Sequence, residues 1–180
     1  MARLSILERL IELDVRQKSQ INKKGAYKKV YNFEKHPNMI VKTWNEPTEG
    51  AVKIEYNTAK NYPDLFATIH KVNFDKNYLI QQKLNTQSVE DELEMFGEYL
   101  DLEESDVLIY FEELTKDVEE AEEFRAELEN VNPNLLKKFD VWLEFLEKVS
   151  NIKVPKGFSK DINPGNMGYD EKGKLKLLDI

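Results

Sequence analysis

No cysteine occurs in this chain of 180 residues, which excludes disulfides and thiolate-bound metals. Histidine is nearly absent too. His36 and His70 stand far apart, so two isolated imidazoles are read as structural or surface residues rather than a zinc site. Positive charge is in deficit: 26 Lys and Arg face 34 Asp and Glu, a net charge of -8. That balance argues against a general nucleic-acid binder, whose phosphate contacts need clustered Lys and Arg. No apolar run approaches the length of a membrane span, and Met1-Ala2-Arg3 leads into an amphipathic stretch rather than a signal peptide. No internal repeat is evident. The expectation is a soluble, cytoplasmic protein without membrane association.

The length suits one domain or two small lobes with a buried core. The most informative stretch is the last twenty residues. Asn166 and Asp179 are separated by Met167-Gly168-Tyr169, a turn at Asp170-Glu171-Lys172-Gly173 and the alternating Lys174-Leu175-Lys176-Leu177. Hairpin geometry folds such a segment back on itself. Asn166 and Asp179 then meet at the open end, with Asp161 on the loop before the first strand. Magnesium takes hard oxygen ligands, often only one or two from protein, and leaves the rest to water and phosphates. One amide and one carboxylate meet that demand, and a further carboxylate, Asp161, is available to accept a proton from a nucleophilic hydroxyl. An ordinary turn is the competing reading, because Asp, Asn, Pro and Gly all favour turns for local reasons.

Asp161-Ile162-Asn163-Pro164-Gly165-Asn166, followed thirteen positions later by an Asp that ends an apolar strand, resembles the catalytic loop and metal-binding Asp of the protein-kinase-like superfamily. Pro-Gly-Asn is closer to its small-molecule branch, the aminoglycoside and choline kinases. The resemblance implies Asp161 as catalytic base, with Asn166 and Asp179 as magnesium ligands. It has departures. Ser159-Lys160 stands where His-Arg or His-Gly is expected, Ile180 replaces Phe, and no Gly or activation segment follows.

In chain order, residues 4–15 carry apolar side chains at helical spacing. That amphipathic helix packs on the first lobe or, alternatively, meets a partner. Residues 21–44 read as strands around the polar turn Glu34-Lys35-His36-Pro37-Asn38. Gly25-Ala26-Tyr27-Lys28-Lys29-Val30 is similar to the second half of the family's glycine-rich loop, which implies that Gly25 approaches phosphates and Val30 covers a base. Lys23 and Lys28 replace the outer glycines, so phosphate binding there would rest on charge. Ile40-Val41-Lys42 matches the strand carrying the family's phosphate-binding lysine, its ammonium directed into the cleft. The helical period of residues 51–61, with Val52, Tyr56 and Ala59 on one side, offers Glu55 as its ion-pair partner. Residues 68–72 and 78–82 read as a strand pair. By the same resemblance Gln82-Lys83-Leu84 is the hinge, where Gln82 and Leu84 hold an adenine edge.

Beyond the hinge the chain is helical and acidic. Ser88 is the expected cap of a helix with Glu90, Asp91 and Glu92 in its first turn and Leu93, Phe96 and Leu100 on its buried face. Val107 to Leu114, and then Val118, Ala121, Phe124 and Leu128, continue the helical period. The acidic helices over residues 88–130 read as a solvated face, or as a surface for a basic partner or a cationic substrate. Asn132-Pro133 opens a further helix whose apolar stripe is Leu135, Leu136, Phe139, Trp142, Leu143, Leu146 and Val149.

The expected fold class is α+β: a kinase-like two-lobe fold with a truncated C-terminal lobe. Residues 1–84 form a five-stranded first lobe with its helices, and residues 85–180 a helical lobe with the catalytic hairpin. The resemblance implies ATP and Mg2+ as cofactors, bound in the cleft between the lobes. It implies transfer of the terminal phosphate to a protein or small molecule. A pseudokinase-type binding module engaging a partner protein is the alternative, and nucleotide transfer a third.

Overall fold

In a computed structural model the described residues are 28–33, 36–44, 50–155, 160 and 162–179. The expected helix over residues 4–15, residues 21–27 of the stretch expected as strands, Gly25 and Asp161 lie outside them. The described chain is α+β, with a four-stranded antiparallel sheet, a separate hairpin and five helices. Among the described residues no helix is long and apolar enough to cross a membrane. The chain divides into two units, Met1–Pro63 with Ala67–Lys83, and Asp64–Phe66 with Leu84–Ile180. Asp64–Phe66 and Leu84 thus group with the second unit, whereas the sequence division at residue 84 placed them in the first.

In the first unit the strands are β1 (Lys28–Asn32), β2 (Met39–Trp44), β3 (Ile69–Asn73) and β4 (Tyr78–Gln82), in the order β1-β2-β4-β3. Five strands were expected, and four lie among the described residues. Alternation gives the sheet two different faces. Val41, Tyr78 and Ile80 cluster with Phe33 on one, against Tyr31 and Met39. The register places Val30 and Leu79 opposite Lys42, and Gln81 opposite Ile40, on the other. The β3–β4 connection closes because Asn73 Oδ1 accepts from the Lys76 amide at 2.9 Å and Asn77 takes a positive φ of 50°.

The helix α1 (Ala51–Asn61) follows Gly50, which holds φ at 100°, a conformation costly for any residue with a Cβ. Its buried residues are Val52, Glu55, Thr58 and Ala59. Tyr56, expected on that face, is half-buried and meets Phe74 edge-on at 5.7 Å. The carboxylate of Glu55 takes the place on the apolar face that periodicity offered to Tyr56.

The second unit contains α2 (Gln87–Leu100), α3 (Glu104–Leu114), α4 (Val118–Val131) and α5 (Pro133–Ser150). Two local expectations are corrected here. Ser88 does not cap α2: its amide donates to Asn85 Oδ1 at 3.2 Å, and Thr86 stands at the cap position without a side-chain bond. The helical period of residues 107–128 is interrupted, since Asp117 accepts from the Glu120 amide and starts α4 afresh. Asn132 caps α5 as its sequence predicts, accepting from the Leu135 amide at 3.3 Å, with Pro133 in the first turn.

Aromatic rings join these helices. Phe111 packs edge-on against Phe96 and Phe139 at 4.9 and 5.3 Å, and Phe124 meets Phe139 at 5.0 Å. Such geometry sets the positive ring edge against the negative face. On α5 the buried stripe is Leu135, Phe139, Trp142, Phe145, Leu146 and Val149. Leu136 and Leu143 fall at its margin, half-buried, and Phe145 replaces them. Val89 is likewise buried on α2, whereas Leu100 is only half-buried.

The hairpin of β5 (Met167–Tyr169) and β6 (Leu175–Leu177) pairs Met167 with Leu177. Asp170 closes its turn, Oδ1 accepting from the Lys172 and Lys174 amides at 2.9 Å each. The hairpin is not isolated. Tyr169 exchanges both backbone hydrogen bonds with Asn85, at 2.9 and 3.1 Å, and the Leu177 amide donates to Leu65 O at 2.7 Å. A two-stranded hairpin is marginal alone in water. Asn85 on one edge and Leu65–Phe66 on the other give it neighbours on both sides.

Candidate functional site

Lys42 lies within β2, not at its end, because the strand continues through Thr43 and Trp44. Its side chain is 2% exposed, and Nζ donates to Glu55 Oε1 at 2.7 Å. A charge this deeply buried is tolerated only when paired with good geometry. The strand's apolar neighbours force the ammonium inward, and α1 supplies the carboxylate. Lys28 Nζ stands 4.0 Å from the other oxygen, Oε2. Val30, opposite Lys42 in the register, is half-buried on the same face.

Of the hinge residues, Gln82 commits its amide to Thr68 O at 2.8 Å, and its side-chain Oε1 accepts from the Thr68 amide at 3.4 Å. Any ligand contact at Gln82 therefore falls to other atoms than its backbone N–H. Leu84, in the second unit, is buried.

At the hairpin's open end, Pro164–Asn166 forms a single 3₁₀ turn closed by the Asn166 amide donating to Asn163 O at 3.0 Å. The Leu178 amide then donates to Asn166 O at 2.7 Å. That bond extends the β5–β6 register by one step and brings Asn166 beside the segment that carries Asp179, which is 7% exposed. The structure thus brings Asn166 and Asp179 to one end, and Asp161, the expected third group, lies outside the described residues. Among the described residues no group of three or more His, Cys, Asp or Glu is placed to hold a metal. A donor set of one amide and one carboxylate suits magnesium, which keeps most of its shell for water and phosphate oxygens.

The sequence reading missed Glu92. Treated as a first-turn acid facing solvent, it is buried at 8% exposure and joins three elements. Trp142 Nε1 donates to it at 3.1 Å, Tyr169 Oη at 2.6 Å, and Lys138 Nζ completes the set. Burial, then the hydrogen bond to Glu92, pushes the Tyr169 hydroxyl well above its ordinary pKa, so it stays a donor. One signal was available: Glu92 falls in line with Val89 and Phe96 at helical spacing, on the apolar stripe. Lys176 is a second buried charge, donating to Phe66 O at 3.2 Å with Asp170 Oδ2 at 4.0 Å.

Gly168 sets how closely β5 approaches Leu84–Asn85. A Cβ there would lie 2.6 Å from Leu84 Cβ and 3.1 Å from the Asn85 backbone. Gly168→Ala is expected to destabilise the second unit by about 1–3 kcal/mol, the cost of overpacking a fitted interface. Amide exchange at Tyr169 and Asn85 should accelerate by a matching factor. Unchanged protection at both amides would show that the strand has room to yield.

Around the end of α2 lies an open hollow of about 750 Å³, lined by Glu94, Glu98, Asp101, Glu103 and Glu104 and reaching Pro164. Both histidines are accounted for by packing or exposure: the His36 ring packs tilted against Phe33 at 4.7 Å, and His70 is exposed. Against known proteins, no protein-family model, no curated sequence and no solved structure matches this chain.

Proposed function

We propose that the chain has a kinase-like two-lobe fold, binds ATP with magnesium, and transfers the terminal phosphoryl group to a hydroxyl of a protein or small molecule. The observation that carries this reading is the buried 2.7 Å pair of Lys42 and Glu55. It joins the two residues that the kinase-like resemblance matches to a phosphate-binding lysine and its helix glutamate. The hairpin supports the reading separately, by setting Asn166 beside the Leu178–Asp179 segment.

In this assignment Lys42, oriented by Glu55, contacts phosphate oxygens, and Val30 covers the base, with Gln82 and Leu84 along its edge. Asn166 and Asp179 hold magnesium, which neutralises charge on the phosphates. Asp161 accepts the proton of the acceptor hydroxyl. The acidic hollow that reaches Pro164 favours a cationic acceptor over an anionic one. The cytoplasm, where ATP and magnesium are both present, is the compartment this activity requires.

Calorimetric titration with ATP, with and without magnesium, tests the proposal on wild type and Asp179→Asn. Saturable binding that needs magnesium and weakens at least about tenfold in the variant is the expected result. Absence of binding at millimolar ATP would refute it. Asp161→Ala should then lower the transfer rate by on the order of 10²-fold with ATP affinity retained. Tight ATP binding without transfer to any acceptor would instead mark a binding module.

A further inference from the structure

We infer that Tyr169 and Glu92 are positioning residues for magnesium, acting through Asn166; this rests on the nucleotide reading above. Asn166 ends the single 3₁₀ turn Pro164–Asn166, which is too short to hold its own place. Its position is inherited from β5, which begins at the next residue. That strand is tied at its far end, Tyr169, in three directions. The Tyr169 amide and carbonyl pair with Asn85 at 3.1 and 2.9 Å, and the hydroxyl donates to Glu92 Oε2 at 2.6 Å. An extended chain rises about 3.3 Å per residue, so a shift or twist at Tyr169 is carried the roughly 10 Å to Asn166.

Glu92 is itself a fixed point. Its Oε2 also accepts from Trp142 Nε1 at 3.1 Å, on a residue with no exposed surface, and Oε1 is taken by Lys138. The carboxylate therefore ties α2 to α5 before it reaches the hairpin, and α2 runs beside both β5 and the 3₁₀ turn. Apolar packing would join these elements at lower desolvation cost, since replacing buried charged groups by apolar side chains is often neutral or stabilising. What packing lacks is direction. A hydrogen bond sets distance and angle, and the groups that orient a metal's ligands typically change its affinity by about 10–100-fold. The tie selects one placement of the hairpin's open end among those that the buried contacts of Met167 and Leu177 would tolerate.

A merely structural tie predicts something else: its loss would lower stability and leave the affinity of the folded chain unchanged. ATP titration at saturating magnesium, and amide exchange in the nucleotide-free chain, separate the two roles. For Tyr169→Phe, which deletes only the hydroxyl, ATP affinity should fall about tenfold. Lys138→Met removes a partner of the same carboxylate on α5 rather than on the hairpin, and should stay within about twofold of wild type. Without nucleotide, the Leu178 amide, which donates to Asn166 O at 2.7 Å, should exchange about tenfold faster in Tyr169→Phe, with the α5 amides of Phe139 and Leu146 unchanged. Equal acceleration at all three amides would mark a general loss of stability and overturn the positioning role. So would ATP affinity within about twofold of wild type in Tyr169→Phe, or an equal fall in Lys138→Met. With normal wild-type ATP binding, these results overturn the positioning role alone. A wild-type chain that binds no ATP would overturn the nucleotide reading and, with it, the role toward magnesium.

Discussion

Lys42→Met is expected to destabilise the first unit by roughly 3 kcal/mol and to abolish measurable ATP binding. Removing one member of a buried ion pair leaves the other charge desolvated and uncompensated, which costs about 3–5 kcal/mol in general. Lys28, 4.0 Å from Glu55, offsets part of that loss and places the expectation at the lower end of the range. The double variant Lys42→Met with Glu55→Leu removes both charges. Since apolar replacement of a whole buried pair is often neutral or stabilising, it should recover stability but not ATP binding. The chain has two tryptophans, Trp44 in the first unit and Trp142 in the second. Urea unfolding followed by Trp44 fluorescence in a Trp142→Phe background reads the first unit. If Lys42→Met shifts that transition by less than about 1 kcal/mol, the pair is not the buried contact described here.

Glu92→Ala should cost the second unit about 3 kcal/mol or more, the largest effect expected of any polar residue there. A single carboxylate accepts from Trp142, Tyr169 and Lys138. Its loss strands the indole N–H, on a residue with no exposed surface, and the Tyr169 hydroxyl. Each unsatisfied buried donor costs about 1–3 kcal/mol. Glu92→Gln retains an acceptor and should lose less. Trp142 itself reports the transition, in a Trp44→Phe background, and a double-mutant cycle with Tyr169→Phe should give coupling of about 0.5–3 kcal/mol. The exposed neighbour Glu94 supplies the control, since surface substitutions usually stay within about 0.5 kcal/mol. A Glu92→Ala effect no larger than that of Glu94→Ala would remove Glu92 from the core.

These two residues differ in how far the sequence announces them. Lys42 ends the apolar triplet Ile40-Val41-Lys42, and Glu55 follows in the next helical pattern, thirteen residues on. Strand followed by helix places such residues close enough to pair, and the kinase-like resemblance singles them out. Glu92 lies in line with Val89 and Phe96, but as one of three adjacent acids at a helix start it reads equally well as a charge facing the dipole. The same ambiguity misassigned Ser88, whose own amide donates to Asn85 one turn earlier and whose hydroxyl accepts from the Asn85 side-chain amide. Helix breaks share the difficulty. Residues 107–128 keep their apolar period across Thr115-Lys116-Asp117, and only Asp117 accepting from Glu120 shows that a new helix begins.

The sequence by itself determined the strand and helix periods, the Asn132-Pro133 start and the hairpin register that brings Asn166 and Asp179 to one end. These depend on residues close together along the chain, where backbone stereochemistry and local hydrogen bonds decide. Only the tertiary structure decided that Glu92 and Lys176 are buried, that Gly168 must lack a Cβ, and that Leu65–Phe66 and Asn85 flank the hairpin. The partners of Glu92 lie 46, 50 and 77 positions away. Periodicity says which face a side chain occupies, but the cost of burying a charge is offset only by the particular donors that folding brings across from another element.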